Sequence, residues 1–257
     1  MLKLAEEKDE NRLAAFCYSY PLGIRIRCLL SAYGTSSSLV KFWLGEENGT
    51  VNCAVCSFDG CVTVVADDTA PFPELAAFLN AVGFTDLCAP DDTLRKLGFT
   101  ADFTKKMFCY INPLSSGYEK AQTGYGDLSE VYALISRSIP GSFSPEREAY
   151  LCWLSDFTYR SRRGLARLKT VEDDGNLLSC ALTAAECEDA AIISGVACDE
   201  RARGKHIGQR TVRTIADELA GEGKKVYVIA LNDSAESFYL KTGFAFCGTV
   251  SYIERKN

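Results

Sequence analysis

The residues with the clearest chemical potential form one six-residue turn that holds two glycines and two basic side chains: Arg203, Gly204, Lys205, His206, Ile207 and Gly208. An apolar stretch, 190–198, precedes this turn, and an amphipathic stretch, 207–220, begins within it. A strand that turns into a helix leaves backbone N–H groups without partners, and the helix dipole adds partial positive charge at the same end. The pattern therefore predicts a site for the phosphates of a ligand, to which Arg203 and Lys205 add full charges.

The elements that position this turn can be read from the second half of the sequence. Apolar or alternating stretches separated by turn residues predict four strands, at 165–171, 176–184, 190–198 and 226–231. Between the last two strands, apolar residues recur at helical spacing: Val212, Ile215, Ala216 and Leu219. The nearly continuous apolar character of 226–231 is typical of a buried strand in parallel pairing.

The first half of the sequence follows the same plan. It predicts strands at 39–46, 50–58 and 61–66, then a helix at 74–81, and then a strand at 84–89. Each half then ends with a short helix, a Gly-Phe pair (Gly98-Phe99 and Gly243-Phe244) and a final strand, predicted at 106–111 and at 248–253. We therefore expect two similar α/β domains, joined within the stretch 112–126, which contains proline, serine and glycine.

Composition excludes several classes of function. A formal net charge of -6 over 257 residues argues against nucleic acid and anionic membranes as partners. No apolar run is long enough to span a bilayer, and the first residues contain no apolar core of signal-peptide length. We therefore expect a cytoplasmic protein whose 12 cysteines remain free thiols. Cys53 and Cys56 form a C-x-x-C pair, but their spacing on a strand points them to opposite faces, so no metal site is predicted.

The second half of the sequence resembles the GNAT (GCN5-related N-acetyltransferase) family. Residues 203–208 are similar to the family's signature Q/R-x-x-G-x-G/A, and they match it at Arg203 and Gly208 but carry His206 where the first glycine is usual. Downstream, a second family motif is matched by Asn232, Ala235, Phe238, Tyr239, Gly243 and Phe244. The resemblance covers residues 120–257 and reaches the first half only through the internal repeat.

This resemblance implies acetyl-coenzyme A as the acyl donor and assigns residues to it. The backbone of Val196, Ala197 and Cys198 is expected to pair with the pantetheine arm and the thioester carbonyl, because the strands on either side of the cleft splay apart. Residues 203–208 are expected to hold the pyrophosphate. Asn232 is expected to contact the cofactor near the splay, and Ala235 and Phe238 to line its pantetheine wall.

The resemblance also assigns the catalytic role of proton donor to Tyr239. A phenol with a pKa of about 10 suits a leaving thiolate with a pKa of about 8–9. The alternative is a core tyrosine whose hydroxyl bonds to the backbone. The general base stays unassigned: 190–198 contains no carboxylate, and Tyr227 stands where some relatives carry a glutamate. Glu186 and Glu188 lie in a predicted turn, where we expect them to be solvated.

Other basic residues carry weaker interpretations. His206 can donate a hydrogen bond or charge to the pyrophosphate; we favour the interpretation that it occupies a helix-start position that needs no glycine and uses only its backbone N–H. The basic runs at 160–163 and 167–169 can bind an acidic group, but a solvated face is the favoured interpretation.

The first half lacks the residues expected of an active domain. The stretch 67–73 contains two prolines, two aspartates, no glycine and no basic residue, so it cannot offer several free N–H groups to a phosphate. Alignment of the two Gly-Phe pairs places Leu94 opposite Tyr239, which removes the proton donor as well. We interpret this half as a degenerate GNAT-like domain that packs on the second and helps to shape the acceptor pocket.

The sequence therefore predicts a mixed-sheet α/β protein with two GNAT-like domains, each a mostly antiparallel sheet with a splayed parallel pair flanked by helices. The domains are 1–115, degenerate, and 116–257, catalytic. The predicted activity is acetyl-coenzyme A-dependent N-acetylation of a small-molecule or peptide amine in a ternary complex. Two alternatives remain open: a non-catalytic acyl-coenzyme A sensor or interaction module, and a module that binds another phosphorylated ligand at the same turn. Oligomeric state is not predicted.

Overall fold

The structure is a computed structural model that describes residues 2–111, 126–139 and 143–255. Its helices and strands are, in chain order, β1 (Leu2–Leu4), α1 (Glu10–Cys17), α2 (Gly23–Tyr33), β2 (Val40–Glu47), β3 (Thr50–Phe58), β4 (Cys61–Ala66), α3 (Phe72–Val82), β5 (Asp86–Pro90), α4 (Asp91–Lys96), β6 (Phe103–Tyr110), α5 (Leu128–Ser138), α6 (Arg147–Ser161), β7 (Leu168–Asp173), β8 (Asn176–Glu186), β9 (Ala190–Cys198), α7 (Ile207–Gly221), β10 (Lys225–Ile229), α8 (Asp233–Lys241) and β11 (Phe244–Glu254). Two short 3-10 helices, Glu7–Asp9 and Glu200–Ala202, complete the set. The chain divides into two compact units: unit 1 comprises Met1–Met107 and Cys247–Asn257, and unit 2 comprises Phe108–Phe246.

Unit 1 is built on a mostly antiparallel sheet. Strands β1 to β4 pair in chain order as antiparallel neighbours, β4 pairs with β5 in parallel, and β5 pairs with residues 250–254 of β11 in antiparallel fashion. The Asn48-Gly49 and Asp59-Gly60 turns have positive φ at both residues, as two-residue hairpins with the right-handed twist require. These two turns set the register of β2, β3 and β4.

The core of unit 1 explains the spacing of its cysteines. Cys53 is fully buried in an apolar cluster with Leu75 and Leu79 of α3 and Leu94 of α4. Cys56, three residues further along β3, is also buried, and burial raises the pKa of its thiol, against a smaller lowering by the charge of Arg25 of α2. The two thiols of the C-x-x-C pair therefore contribute to different faces of the strand.

Unit 2 repeats the arrangement. Strands β7, β8 and β9 pair as antiparallel neighbours, with register shifts between β8 and β9, and β9 pairs with β10 in parallel. The amphipathic helix α7 buries Val212, Ile215 and Leu219 completely in one cluster, whereas α5 packs Leu134 and Ile135 into a second cluster. The helical spacing of the apolar residues thus predicted the face of α7 that is buried.

The predicted fold class is confirmed, and the element boundaries differ in detail. Strand β7 begins at Leu168 rather than 165, and β11 is longer than the predicted 248–253. The predicted domains were 1–115 and 116–257, and the junction between them lies outside the described residues. Residues 247–257 were assigned to the predicted second domain but belong to unit 1.

Within the described residues, no helix is long and apolar enough to cross a membrane.

Candidate active site

Strands β9 and β10 separate before β9 ends. Their parallel pairing runs from Ala190 with Lys225 to Ile193 with Val228. Strand β10 ends one residue later, whereas β9 continues to Cys198. Residues 194–198 therefore have a strand edge that β10 does not cover, which is the splay predicted from the sequence.

Hydrogen bonds to β8 show which backbone groups face this open edge. The Asp199 N–H donates to a carbonyl of β8 at 2.8 Å, and the Ala197 carbonyl accepts from Ser179 Oγ at 3.0 Å. Because backbone groups alternate in direction along a strand, those of Val196 and Cys198 face the open edge. Ala197, which was predicted to contact the cofactor with the other two, directs its backbone to β8 instead.

The turn between β9 and α7 presents several free donors. Gly204 has a φ of 75°, and His206 has a φ of 57°. No described residue accepts a hydrogen bond from the N–H groups of Gly204, His206 or Ile207. The side chains of Arg203 and Lys205 are exposed beside them, and Arg203 contacts only an exposed glutamate at 3.4 Å. Free N–H groups with two cations at a helix start fit a pyrophosphate.

The favoured interpretation of His206 was wrong. It assumed a position that needs no glycine, but His206 adopts the left-handed conformation in which glycine is the least strained residue. The family's glycine at this point is thus explained by backbone geometry. Histidine is among the residues that tolerate this region better than most. Its side chain is also engaged, because Nδ1 lies 2.8 Å from Oε1 of Gln209.

A buried carboxylate holds the turn in place. Asp199 accepts hydrogen bonds from the backbone N–H of Arg201 at 3.0 Å, from Nε of Arg201 at 2.8 Å and from Nη2 of Arg137 at 3.1 Å. These bonds, led by the one from the Arg201 side chain, hold the pKa of Asp199 well below its usual range. Sequence reasoning missed both Asp199 and Arg137. The Asp-x-Arg spacing was visible, but nothing in the sequence marked Arg137 on α5.

Gly208 allows the start of α7 to approach β9. Its N–H donates to the Cys198 sulfur, and a Cβ at this position would lie 3.6 Å from Cys198 Cβ and 3.9 Å from Phe238 Cε2. Those are ordinary contact distances, so alanine fits here, in agreement with the G/A of the signature. Burial raises the pKa of the Cys198 thiol.

The second family motif, which begins at Asn232, forms the start of helix α8. Asn232 is the N-cap of α8, and its Oδ1 accepts a hydrogen bond from the Ala235 N–H at 3.0 Å. This capping accounts for the asparagine three residues before the alanine. Ala235 and Phe238 are partly buried against the cluster that contains Ile193 and Val228. The expected contacts of these three residues with a cofactor remain predictions.

Tyr239 lies deep in the same cluster as the last parallel pair, Ile193 and Val228. Its ring centroid lies 5.7 Å from that of Phe244 and 6.4 Å from that of Phe108. No described residue forms a hydrogen bond with its hydroxyl, so the predicted alternative of a backbone-bonded core tyrosine is not observed. Burial raises the pKa of Tyr239. The group therefore keeps its proton and, within the described part of the chain, has no partner for it.

Glu186 is not solvated, contrary to the prediction. It ends β8 and is 1% exposed. Arg167 bonds both of its oxygens, and Lys224 Nζ lies 2.6 Å from Oε1. Arg167 also bonds Glu222 at 2.7 Å and, with Lys224, lowers the pKa of Glu222 to about 2. Glu186 is therefore the centre of an ion network and is not a free base, whereas Glu188 is exposed as expected.

The basic runs also differ from the solvated face that was favoured. Arg160 is 6% exposed, bonds Asp156 at 2.7 Å and donates from Nη1 to the Ala184 carbonyl at 3.0 Å. Lys169 pairs with Glu218 of α7 at 2.9 Å. These cations tie α6 and β7 to their neighbours, and only Arg162 and Arg163 are exposed.

In the corresponding turn of unit 1, residues 67–73, several hydrogen bonds are formed within the turn. Asp67 Oδ1 accepts from the N–H of Thr69 at 2.8 Å and from its hydroxyl at 2.7 Å. The Ala70 N–H donates to the Asp67 carbonyl at 3.2 Å, and Pro71 has none to donate. Leu94, opposite Tyr239 in the repeat, is 1% exposed in the core. Unit 1 therefore has neither the anion-binding turn nor the phenol.

A known protein family matches the part of the chain that contains this site. Residues 128–244 match the family model described as the acetyltransferase (GNAT) family. The matched region contains the open edge of β9, the turn that follows it and the Asn-to-Gly-Phe motif. Residues 128–244 are therefore similar to the GNAT acetyltransferases, a class of enzymes that transfer acyl groups to amines and normally use acetyl-coenzyme A. No curated protein sequence matches the chain.

Solved structures share the fold along the whole chain. An acetyltransferase from the GNAT family of Colwellia psychrerythraea is 14% identical, with a TM-score of 0.62 and 100% of both chains covered. A tandem GNAT protein from the clavulanic acid biosynthesis pathway is 12% identical, with a TM-score of 0.64, 100% of this chain covered and 99% of the other. A GCN5-related N-acetyltransferase from Kribbella flavida is 12% identical, with a TM-score of 0.55 and coverage of 80% and 87%. These similarities show the fold, with two GNAT-like units.

Proposed function

We propose that unit 2 transfers the acetyl group of acetyl-coenzyme A to an amine, with both substrates bound at the same time. The observation that carries this proposal is the continuity of two features: the open edge of β9 leads directly into the turn with free N–H groups. The edge suits the amides of a pantetheine arm, and the turn suits its pyrophosphate. Each feature alone fits many ligands, but their order along one strand and loop fits a coenzyme A ester.

The residues present fit this donor. The N–H groups of Gly204, His206 and Ile207 and the charges of Arg203 and Lys205 would hold the pyrophosphate. The backbone of Val196 and Cys198 would bond the pantetheine arm and the thioester carbonyl. When bound, the coenzyme A ester supplies an acyl carbon that an amine can attack. Backbone donors fixed in a strand need no reorganisation to stabilise the charge that develops on the carbonyl oxygen.

Tyr239 would protonate the departing sulfur. It lies in one cluster with Ile193 and Val228, where β9 and β10 separate, and its hydroxyl has no partner among the described residues. Its raised pKa keeps it protonated at neutral pH, as a donor must be. The amine nitrogen forms a bond to the acyl carbon and loses its proton to water, while the carbon–sulfur bond breaks and Tyr239 gives its proton to the sulfur.

The acceptor would be a small-molecule or peptide amine, and the abundance of free thiols favours a reducing compartment, the cytoplasm. Residues 194–198 carry no carboxylate, so the acceptor is expected to react as the neutral amine. The rate at limiting acceptor would then rise with pH up to the pKa of the amine itself.

Calorimetric titration with acetyl-coenzyme A tests binding. We expect saturable binding that the double substitution of Arg203 and Lys205 by alanine weakens by about tenfold or more, because charge-assisted phosphate contacts are the strong ones. A matched control replaces Arg95 by alanine, since Arg95 is an exposed arginine of unit 1 with local ion pairs. Absence of binding, or equal weakening by the control, would show the proposal to be wrong.

One observation favours a second candidate, a non-catalytic acyl-coenzyme A sensor. The open edge has no carboxylate, and the buried Glu186, which lies opposite Ala191 towards the other end of β9, is bonded to Arg167 and Lys224. Release of thiol from acetyl-coenzyme A, measured with a panel of amines, separates the two functions. Binding without thiol release at any pH from 7 to 9.5 would favour the sensor.

A further inference from the structure

Arg25 of α2 is a cation of unit 1 that has no anion as its partner. Its Nη1 donates to Cys88 Sγ at 3.1 Å, and it forms no ion pair with any described residue. The residues on either side of it, Ile24 and Ile26, are buried, and Arg25 itself is partly buried. An arginine carries five N–H donors, so most of its hydrogen-bonding capacity is unused by the protein.

The surface beneath Arg25 is a row of neutral side chains across four strands. Cys56, Thr63, Cys88 and Tyr252 are direct neighbours in register on β3, β4, β5 and β11, so they share one face of the sheet. Thr63 Oγ1 lies 3.4 Å from Cys88 Sγ. No described residue forms a hydrogen bond with the Tyr252 hydroxyl. Burial raises the pKa of Tyr252, and the positive charge of Arg25 opposes part of that rise.

The row lies where the parallel strands of unit 1 separate. Thr63 with Cys88 is the last parallel pair between β4 and β5, and β4 continues to Ala66. In unit 2 the equivalent last pair is Ile193 with Val228, both of which are buried apolar residues. The parallel strands of unit 1 therefore separate as those of unit 2 do, and we call the point at which β4 and β5 separate the strand fork. A guanidinium and two hydroxyls lie at the strand fork of unit 1.

The acidic residues nearby do not neutralise Arg25. Asp86, two residues before Cys88 on the same strand face, contacts Cys61, with 3.7 Å between Sγ and Oδ2. Among the described residues Arg25 has the Cys88 sulfur but no carboxylate as a partner, so burial removes hydration that only one weak acceptor replaces. An oxyanion between Arg25 and Tyr252 would restore those interactions, and the planar guanidinium suits two oxygens at once.

We propose that unit 1 binds the oxyanion group of a small molecule, a carboxylate or a phosphate, at the strand fork formed by Arg25, Thr63, Cys88 and Tyr252. Arg25 provides a two-pronged contact and the Tyr252 hydroxyl a third donor. This site is separate from the turn of unit 2 and does not depend on the activity proposed for that unit.

Calorimetric titration with inorganic phosphate and, separately, with acetate tests the proposal, with coenzyme A at saturation so that the turn of unit 2 is occupied. We expect one of the two probes to bind with a dissociation constant that Arg25→Gln raises by about tenfold or more, and that Arg95→Gln leaves unchanged. The stronger probe identifies the anion class. Equal constants for Arg25→Gln and the wild type, or no binding of either probe at tens of millimolar, would overturn the proposal.

A second pair of measurements covers the case in which Arg25→Gln does not fold. Tyr252→Phe keeps the ring and removes only the hydroxyl, and we expect it to weaken binding of the same probe about threefold or more. Crystals of the wild-type protein soaked in bromide should show an anomalous peak beside the Arg25 guanidinium. Unchanged binding by Tyr252→Phe together with bromide only at other sites would contradict the assignment.

Discussion

His206 and Gln209 are joined side chain to side chain across the first turn of α7, with 2.8 Å between Nδ1 and Oε1. The histidine is the residue before the helix and has a left-handed backbone, and the glutamine lies three residues further on. This contact lies on the outside of the turn, so it leaves the His206 N–H free. The arrangement lets a residue with a side chain occupy a position at which the family has glycine.

Replacement of His206 tests this account of the turn. We expect His206→Gly to retain acetyl-coenzyme A affinity within about twofold and to be as stable as the wild type or up to about 1 kcal/mol more stable, because glycine adopts positive φ without strain. His206→Val should lose affinity and stability, since a β-branched residue is poorly tolerated there. Calorimetric titration and urea unfolding measure both effects.

Gln209→Ala is the control for the histidine variants, because it removes the partner and leaves the backbone requirement unchanged. A large loss of affinity in His206→Gly, equal to that in His206→Val, would instead assign the imidazole to the ligand.

Tyr239→Phe is expected to lower kcat by about 100-fold, the low end for loss of general acid catalysis, with little change in acetyl-coenzyme A affinity. Its stability should stay within about 0.5 kcal/mol of the wild type, because the hydroxyl has no partner to lose. Since burial raises the pKa of Tyr239, no loss of activity from its ionisation is expected below about pH 10.

Tyr227→Phe on β10 is the matched control and should retain wild-type turnover. If Tyr239→Phe also turned over at the wild-type rate, Tyr239 would have no part in the mechanism.

Asp199→Asn is expected to weaken acetyl-coenzyme A binding and to change how stability depends on pH. The folded protein holds the pKa of Asp199 below its unfolded value of about 3.9, so the carboxylate stabilises the fold at neutral pH. That contribution is lost as the pH falls below about 4 towards the folded-state value. The unfolding midpoint of Asp199→Asn should therefore be lower at pH 7 and should fall less than that of the wild type between pH 6 and pH 3. Parallel curves for the two proteins would contradict this role.

Glu186→Gln should destabilise unit 2 by about 3 kcal/mol, because it removes the buried carboxylate that the partly buried Arg167 and Lys224 share and leaves them, among the described residues, only the exposed Glu222. Glu222→Gln, which removes the exposed member of the same network, should cost less than about 1 kcal/mol. Urea unfolding at pH 7 compares the two. At a temperature at which both variants are folded, equal turnover by Glu186→Gln and the wild type is expected, and a selective loss of kcat would make Glu186 the missing base.

Thiol labelling tests the open edge without measuring activity. Cys152 and Cys247 are exposed, and Cys198 is partly buried at the end of β9. At a concentration of acetyl-coenzyme A of about 100 times Kd, the site is about 99% occupied, so alkylation of Cys198 should slow by about tenfold or more. Cys152 is the internal control and should react at an unchanged rate. Peptide mapping by mass spectrometry reports both, and an unprotected Cys198 would place the ligand elsewhere.

The sequence predicted the parts of this fold that depend on local patterns. The period of apolar residues identified the buried face of α7, and the Asn48-Gly49 and Asp59-Gly60 pairs identified two hairpins. The separation of β9 from β10 followed from the family resemblance and is present in the structure. These features are encoded within a few residues of where they act.

The remainder depends on contacts between residues distant in sequence. The Arg137–Asp199 pair spans 62 positions and the Arg167–Glu186 pair 19, so a charge count could not show which charges are paired. The left-handed conformation of His206 was also not predicted, because the residue type alone does not determine φ. Tertiary context decided each of these cases.

The path of the chain has a consequence for the order in which the protein can be completed. Most of unit 1 is synthesised before unit 2, yet residues 250–254, which pair with β5, follow the whole of unit 2. Until they are synthesised, β5 offers an unpaired edge to any other strand. Unit 1 therefore cannot finish folding during translation before unit 2 has been made, and a gene fragment that encodes only residues 1–111 would produce a sheet without one of its strands.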